Sequence, residues 1–216
     1  MNKVTTVAEA VSHLKDGDTL FVGGFLQCGS PETLLAELIR VGTKHLTAVN
    51  NDFGIATTNM VKVFAAGQVD KTISSFLGMN PCAVQKQLDE PQNVTLVPQG
   101  TLAERIRAGG AGIRGFYTPV GVGTPVEVDK EHRMFDRMCL LELPLHANVA
   151  FVHASVVDKS GNCFLRGSTK NFNVVMATAA DYVIVEAEQI VEVGEIDPEL
   201  VTIPGVYINA IVPVEV

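Results

Sequence analysis

The stretch from Asp16 to Gly42 constrains this chain more than any other part of it. Asp16-Gly17 lead into the apolar triplet Leu20-Phe21-Val22, which runs into Gly23-Gly24, a short loop and Gly29. Ser30-Pro31 follow, and Leu34, Leu35, Leu38 and Ile39 then recur at helical spacing before Gly42. The triplet reads as a buried strand, and the leucines as one face of an amphipathic helix. Ser30 is placed to be the N-cap, Pro31 the first helical residue and Gly42 the stop. A strand, a glycine loop and a helix start make an anion site when free N–H groups and the helix dipole converge on a ligand. The same residues also suit a tight strand-to-helix turn that holds nothing.

Two nucleotide fingerprints fail here. The spacing from Gly24 to Gly29 fits a P-loop, but Ser30-Pro31 replace the Lys and Ser/Thr that reach phosphates and magnesium. The loop itself has no G-x-G-x-x-G either, so it is not a standard nucleotide site.

Apolar runs at His45–Asn50, Lys71–Phe76 and Asn93–Val97 predict strands. Thr57–Ala66 and Cys82–Leu88 predict helices, the second entered by Asn80-Pro81. This alternation points to an α/β fold, with an open, mostly parallel central sheet flanked by helices in a single domain. The Gly23–Gly29 loop, Asn50-Asn51 and Pro98-Gln99-Gly100 each follow a strand at its carboxyl end, where such sheets bind ligands. Beyond a helix at Leu102–Ala108, the glycine-dense segment 100–123 predicts irregular backbone that turns sharply or is approached closely. Arg105 and Arg107, two apart, belong to different helix faces and read as solvated or interface residues. Val126–Leu145 is strand-like with a charged middle, and Val149–Val157 is a strand ending in the polar turn Asp158–Asn162. Asn173–Ala180 reads as a helix and Asp181–Glu186 as a strand.

Trp is absent and 47% of residues are apolar, so the core rests on Val, Ile, Leu and Ala, which suits a parallel sheet covered on both faces. A net charge of −8 without a basic block argues against nucleic acid. No apolar run approaches the roughly 20 residues of a membrane helix, and no signal-peptide core precedes Asp16, so a soluble cytoplasmic protein is expected. Cys28, Cys82, Cys139 and Cys163 are scattered without a C-x-x-C pair, which predicts reduced, mostly buried thiols and no metal site. Cys28 lies near a helix start that would lower its pKa, yet no base stands beside it in sequence, so packing is the reading. His146 and His153 lack metal-ligand spacing and read as structural or surface residues.

Taken in order, the motifs form a longer pattern. Asp16-Gly17, Gly23-Gly24-Phe25, Gly29 and Pro31 are followed by Leu46-Thr47-Ala48-Val49-Asn50-Asn51 and by Pro98–Gly112. Gly123-Thr124, Leu141–Leu145, Asn171-Phe172-Asn173 and Thr202-Ile203-Pro204-Gly205 complete it. Over nearly its whole length the chain resembles the alpha-type subunits of family I coenzyme A-transferases. These include the alpha subunits of the acetate, acetoacetate and butyrate transferases and the N-terminal half of single-chain 3-oxoacid transferases. Two departures stand out: Asp136-Arg137 replaces a glycine-containing hairpin, and Arg114 replaces a small residue.

The resemblance implies ping-pong transfer, in which a protein glutamate attacks the acyl-CoA, forms an anhydride and then carries CoA as a thioester. In the family that glutamate lies in a Ser-Glu-Asn-Gly motif on the beta-type subunit, and no such motif occurs here. Glu32, Glu37, Glu104, Glu142, Glu186 and Glu192 read instead as helix caps, surface charges or structural pairs. The resemblance therefore implies a hetero-oligomer with a beta-type subunit, two copies of each, active only when assembled. Coenzyme A and acyl-CoA are then substrates, with no permanently bound cofactor and no metal. Gly23, Gly24, Phe25, Leu26, Gln27, Cys28 and Gly29 become the CoA-contacting loop. Gln99 becomes oxyanion support through its amide, where an isolated turn glutamine would only bond its own backbone. Asn51 either orients the substrate carboxylate or is a satisfied strand-end residue. Two other readings are a non-catalytic CoA- or acyl-binding sensor that needs no beta subunit, and a sugar-phosphate isomerase-like enzyme. The isomerase requires its own acid/base carboxylate with a phosphate loop, and none stands out.

Overall fold

Neighbouring residues of the first apolar triplet enter different cores. Leu20 and Val22 join Leu34, Leu35, Leu38, Phe53, Met60 and Val63 in one buried cluster, while Phe21 joins Leu102, Ile106, Phe172 and Met176 in another. Val149 and Phe151 divide from Ala150 and Val152 in the same way. This period of two is the mark of a strand buried on both faces. The protein is described here by a computed structural model covering residues 2–215.

Its strands are β1 (Thr19–Val22), β2 (Leu46–Val49), β3 (Val69–Ser74), β4 (Val94–Leu96), β5 (Phe116–Thr118), β6 (His132–Met134) and β7 (Met138–Glu142), then β8 (Ala147–Asp158), β9 (Cys163–Phe164), β10 (Ala180–Val191) and β11 (Ala210–Pro213). Helices are α1 (Val7–Val11), α2 (Glu32–Val41), α3 (Asn59–Ala65), α4 (Pro81–Asp89), α5 (Gln99–Gly110) and α6 (Asn171–Ala177). The central sheet runs β11-β10-β8-β1-β2-β3-β4, and every neighbouring pair along it is parallel. β9 pairs antiparallel with β8, and β5-β7-β6 form a small antiparallel sheet between α5 and β8. Helices α1 to α4 pack on one face of the central sheet, and α5 and α6 on the other. The expected α/β architecture with an open, mostly parallel sheet is observed.

Leu34, Leu35 and Leu38 are fully buried, each contributing about 1.5–3 kcal/mol, which is what holds α2 against the sheet. Gly42 ends that helix at φ +76°, with its N–H bonded to the Leu38 carbonyl at 3.0 Å. The start differs from expectation: Pro31 occupies the cap position, and the Ser30 hydroxyl donates to Glu32 Oε1 at 2.6 Å instead of capping. At α4 the expected entry holds, because Asn80 accepts from the N–H groups of Cys82 and Ala83.

The glycine-dense segment also differs. α5 begins at Gln99 and runs to Gly110, so Pro98-Gln99-Gly100 is a helix start rather than a loose turn. A Cβ on Gly109 would lie 1.9 Å from the Leu145 carbonyl oxygen, so the close approach there is made by this chain's own backbone. Arg105, expected as a solvated or interface residue, is largely buried within this chain: its Nε donates to the Leu143 carbonyl at 2.7 Å and lies 3.8 Å from Glu142 Oε2. Lys130 Nζ lies 2.5 Å from the other oxygen of the buried Glu142, so this carboxylate of the small sheet sits between Lys130 and Arg105 of α5. Phe135-Asp136-Arg137 close the β6–β7 hairpin without glycine. Arg114 is exposed and makes no ion pair among the described residues. Of the thiols, Cys139 and Cys163 are buried, while Cys28 is exposed. Burial, then the Asp158 charge, pushes the Cys163 thiol up to about 12, which leaves it unreactive. Among the described residues no helix is long and apolar enough to cross a membrane.

Candidate active site

Four connections leave the carboxyl ends of β1, β2, β3 and β4 along one edge of the sheet. The first is the glycine loop. Phe25 and Cys28 exchange backbone hydrogen bonds of 3.1 and 2.9 Å, which makes a tight tip carrying Leu26 at φ +53°. Phe25 and Leu26 are exposed, and the Gln27 amide donates to Thr57 Oγ1 at 2.5 Å. The loop rests on α6, since Asn173 Nδ2 donates to the Gly29 carbonyl and Asn171 Nδ2 to that of Cys28, both at 3.0 Å. A Cβ on Gly23 would fall 1.8 Å from Asn173 Oδ1, so packing against Asn173 by itself requires glycine there.

The helix start that follows this loop is already filled. Glu186 projects from β10, 2% exposed, and its Oε2 accepts from the N–H groups of Thr33 at 2.8 Å and Leu34 at 3.1 Å. The free donors that suggested an anion site thus hold an anion from the chain itself. His153 stands behind it. Its Nε2 is 3.0 Å from Glu188 Oε1, and its Nδ1 is 3.8 Å from Glu186 Oε1, beyond hydrogen-bond range but close enough for the charges to interact. Burial alone would pull the His153 pKa down, but the two glutamates outweigh it and hold the imidazole above its ordinary value.

At the other end of the edge, α5 presents an open start. No side chain caps it, and among the described residues no acceptor takes the N–H groups of Gln99, Gly100 and Thr101. Gln99 is exposed and donates from Nε2 to Asn51 Oδ1 at 2.8 Å. Asn51 is only 1% exposed, so its side chain faces protein rather than open space. Its Oδ1 also accepts from the Ser75 hydroxyl at 2.8 Å, and its Nδ2 donates to Asp52 Oδ2 at 2.7 Å. Asp52 in turn accepts from the backbone N–H of Leu26 in the glycine loop, at 3.0 and 3.2 Å.

Phe25, Gln99, Ala103, Asn171, Phe172 and Val175 line a cleft of about 340 Å³ between the glycine loop, the start of α5 and α6. The geometry therefore brings Phe25 and Gln99 to one opening and places Asn51 behind Gln99. Among the described residues no carboxylate lines this cleft. Each glutamate weighed from the sequence has a structural partner. Glu32 Oε2 accepts from the Asn59 N–H at the start of α3, and Glu37 pairs with Arg40. Glu104 pairs with Arg107, Glu142 with Lys130, and Glu192 with Lys159. Among the described residues, no group of three or more His, Cys, Asp or Glu side chains is placed to hold a metal ion.

Sequence reasoning did not single out Asp52 or the hold of Asn173 on the glycine loop, and it gave Glu186 as a helix cap, surface charge or structural pair without naming the helix it closes. A charge closing the buried run Tyr182–Val185 was the available sign for Glu186, because an unpaired carboxylate is not tolerated there. For Asn173 the sign was the Asn171-Phe172-Asn173 motif.

Residues 4–213 match the family model described as Coenzyme A transferase. The chain is 44% identical over 212 residues to the acetoacetyl-CoA:acetate/butyrate CoA transferase alpha subunit of Clostridium acetobutylicum, covering 98% of this chain and 97% of that protein. It is 40% identical over 211 residues to the alpha subunit of the acetate CoA-transferase of Escherichia coli, covering 97% and 96% respectively. An acyl-CoA transferase structure from Escherichia coli aligns at a TM-score of 0.87 and 22% identity; it covers 99% of this chain, which spans about half (47%) of that one. Glutaconate coenzyme A-transferase from Acidaminococcus fermentans aligns at a TM-score of 0.83 and 22% identity, over 98% of this chain and 75% of that one. The two structures share the fold, and the sequence likeness spans nearly the full length of both relatives. The chain belongs to the coenzyme A transferase family.

Proposed function

We propose that this chain is the alpha-type subunit of a cytoplasmic transferase that moves coenzyme A between a short-chain acyl-CoA and a carboxylate such as acetate, butyrate or acetoacetate. The single observation that carries the two-subunit reading is the cleft beside Gln99, which gathers a donor amide and an open helix start but, among the described residues, no carboxylate. Such a surface stabilises a developing oxyanion and cannot attack a thioester. The nucleophilic glutamate reaches this opening from a beta-type subunit, in an assembly of two copies of each, and the chain acts there as one folded unit. Phe25 and the rest of the Gly23–Gly29 loop contact the coenzyme. Gln99 donates to the thioester oxygen as it gains charge, and no cofactor stays bound between turnovers.

The test is reconstitution. Purified alone, the chain should exchange no CoA between acetyl-CoA and acetate, butyrate or acetoacetate, and addition of the beta subunit should start the exchange. Borohydride reduction of the loaded enzyme should mark a glutamate on that partner. Transfer by this chain alone, or a mark on one of its own glutamates, would refute the reading. Tight acyl-CoA binding with no exchange in any assembly would favour a sensor.

A further inference from the structure

We infer that Asp52 fixes the orientation of the Gln99 amide, acting through Asn51 as a positioning residue. The inference rests on the reading of Gln99 as an oxyanion donor and deepens it. Asp52 is 2% exposed and makes no ion pair among the described residues. Its two oxygens meet only donors: the backbone N–H groups of Leu26 and Gly54 and the Asn51 amide.

The amide of Asn51 fits its site equally well either way round by shape, so its partners decide. With Oδ1 turned toward Asp52, two acceptors would face each other in a buried site at high cost. Nδ2 therefore points at the carboxylate, and Oδ1 is left facing Gln99. That leaves the next amide no choice, because Gln99 must offer Nε2 to Asn51 Oδ1. One Nε2 hydrogen is spent there, and the other has no acceptor among the described residues. Were the relay reversed, the Gln99 carbonyl oxygen would take the place of Nε2, and an oxyanion served by Nε2 would meet a lone pair instead. Ser75 cannot set the direction, since its hydroxyl rotates to donate or accept.

The same carboxylate holds the N–H of Leu26, whose φ of +53° is unfavourable for a side chain with a Cβ. Asp52 thus joins the tip of the glycine loop to the donor at α5.

The experiment uses the assembled transferase carrying Asp52→Asn, Gln99→Ala, or both. Asp52→Asn keeps the shape but adds donor hydrogens where only donors arrive. It should lower kcat by about 10-fold or more in the wild-type background and by less than about twofold in the Gln99→Ala background, because residues acting as one unit are non-additive. Equal losses in both backgrounds would overturn the inference. Asn51→Leu breaks the relay while sparing the bonds from Asp52 to Leu26 and Gly54. It should lower kcat with little change in KM for acyl-CoA, and an unchanged kcat would count against the relay. A readout independent of turnover is the side-chain NH₂ resonance of Gln99 in the ¹⁵N-labelled chain, identified by its loss in Gln99→Ala. It should shift in Asp52→Asn and in Asn51→Leu, and an unmoved resonance in either folded variant overturns the inference. If Gln99→Ala alone leaves kcat unchanged while the resonance shifts, the oxyanion reading fails and the relay stands.

Discussion

Two helices start along the same edge of the sheet, α2 after β1 and α5 after β4, and their first turns have opposite fates. Each begins with unpaired N–H groups and the positive end of a helix dipole. At α2 the Glu186 carboxylate, 153 residues from Thr33 in sequence, closes that end inside the protein. At α5 nothing among the described residues caps the first turn, and Gln99 stands exposed beside it. A helix start thus creates the potential for an anion, while tertiary structure decides whether the chain or a ligand supplies it. In this molecule the strand–glycine–helix unit became a lock, and the plainer Pro98-Gln99-Gly100 start is the open one.

The largest expected effect comes from opening the lock. Glu186→Ala leaves two buried N–H groups unpaired and His153 with Glu188 as its one remaining carboxylate, and should cost about 3 kcal/mol in urea unfolding. Glu186→Gln, which keeps an acceptor, should cost about half as much. A loss below about 1 kcal/mol for the alanine variant would mean that the α2 end is not held by this carboxylate. Gln99→Ala should do the reverse. Turnover of the assembled enzyme should fall about 10²-fold, equivalent to about 2.7 kcal/mol, with stability unchanged within about 0.5 kcal/mol.

Stability against pH separates the two ends further. His153 is raised above its ordinary 6.5 by Glu186 and Glu188, so its folded pKa exceeds its unfolded one. Its contribution is therefore complete below the unfolded value and is lost as pH rises through the folded value. Urea midpoints followed upward from about pH 6 should decline on this account, and the decline should be shallower in His153→Asn. An identical slope in that variant would remove His153 from the α2 lock. The smallest effect concerns Ser30. Because its hydroxyl serves Glu32 rather than the backbone, Ser30→Ala should stay within about 0.5 kcal/mol, whereas Asn80→Ala, which removes a working cap, should cost about 1–2 kcal/mol.

The layers of the fold were legible because strand and helix periods differ. Leu20-Phe21-Val22 and Leu34–Ile39 carry those periods within a few residues, and local spacing decides such elements. The cap of α2 was not legible in the same way, since Glu186 reaches it from the far side of the chain. Gln99 was visible only within the long Pro98–Gly112 motif, as one glutamine in a turn implies no chemistry. Asp52 escaped notice for a similar reason: its role depends on Leu26, Asn51 and Gln99 meeting, and sequence separates them by up to 73 positions. For Arg105, read as a solvated or interface residue, the partners Leu143 and Glu142 were missed because the small antiparallel sheet that carries them could not be placed from spacing.

The contrast between the two helix starts can be observed in one structure, that of the assembled alpha–beta enzyme trapped as its CoA thioester. The account predicts the thioester oxygen within hydrogen-bond distance of Gln99 Nε2, CoA against the Gly23–Gly29 loop, and Glu186 still seated on Thr33 and Leu34. A ligand anion at the start of α2 with Glu186 displaced, or a thioester oxygen remote from Gln99, would contradict it.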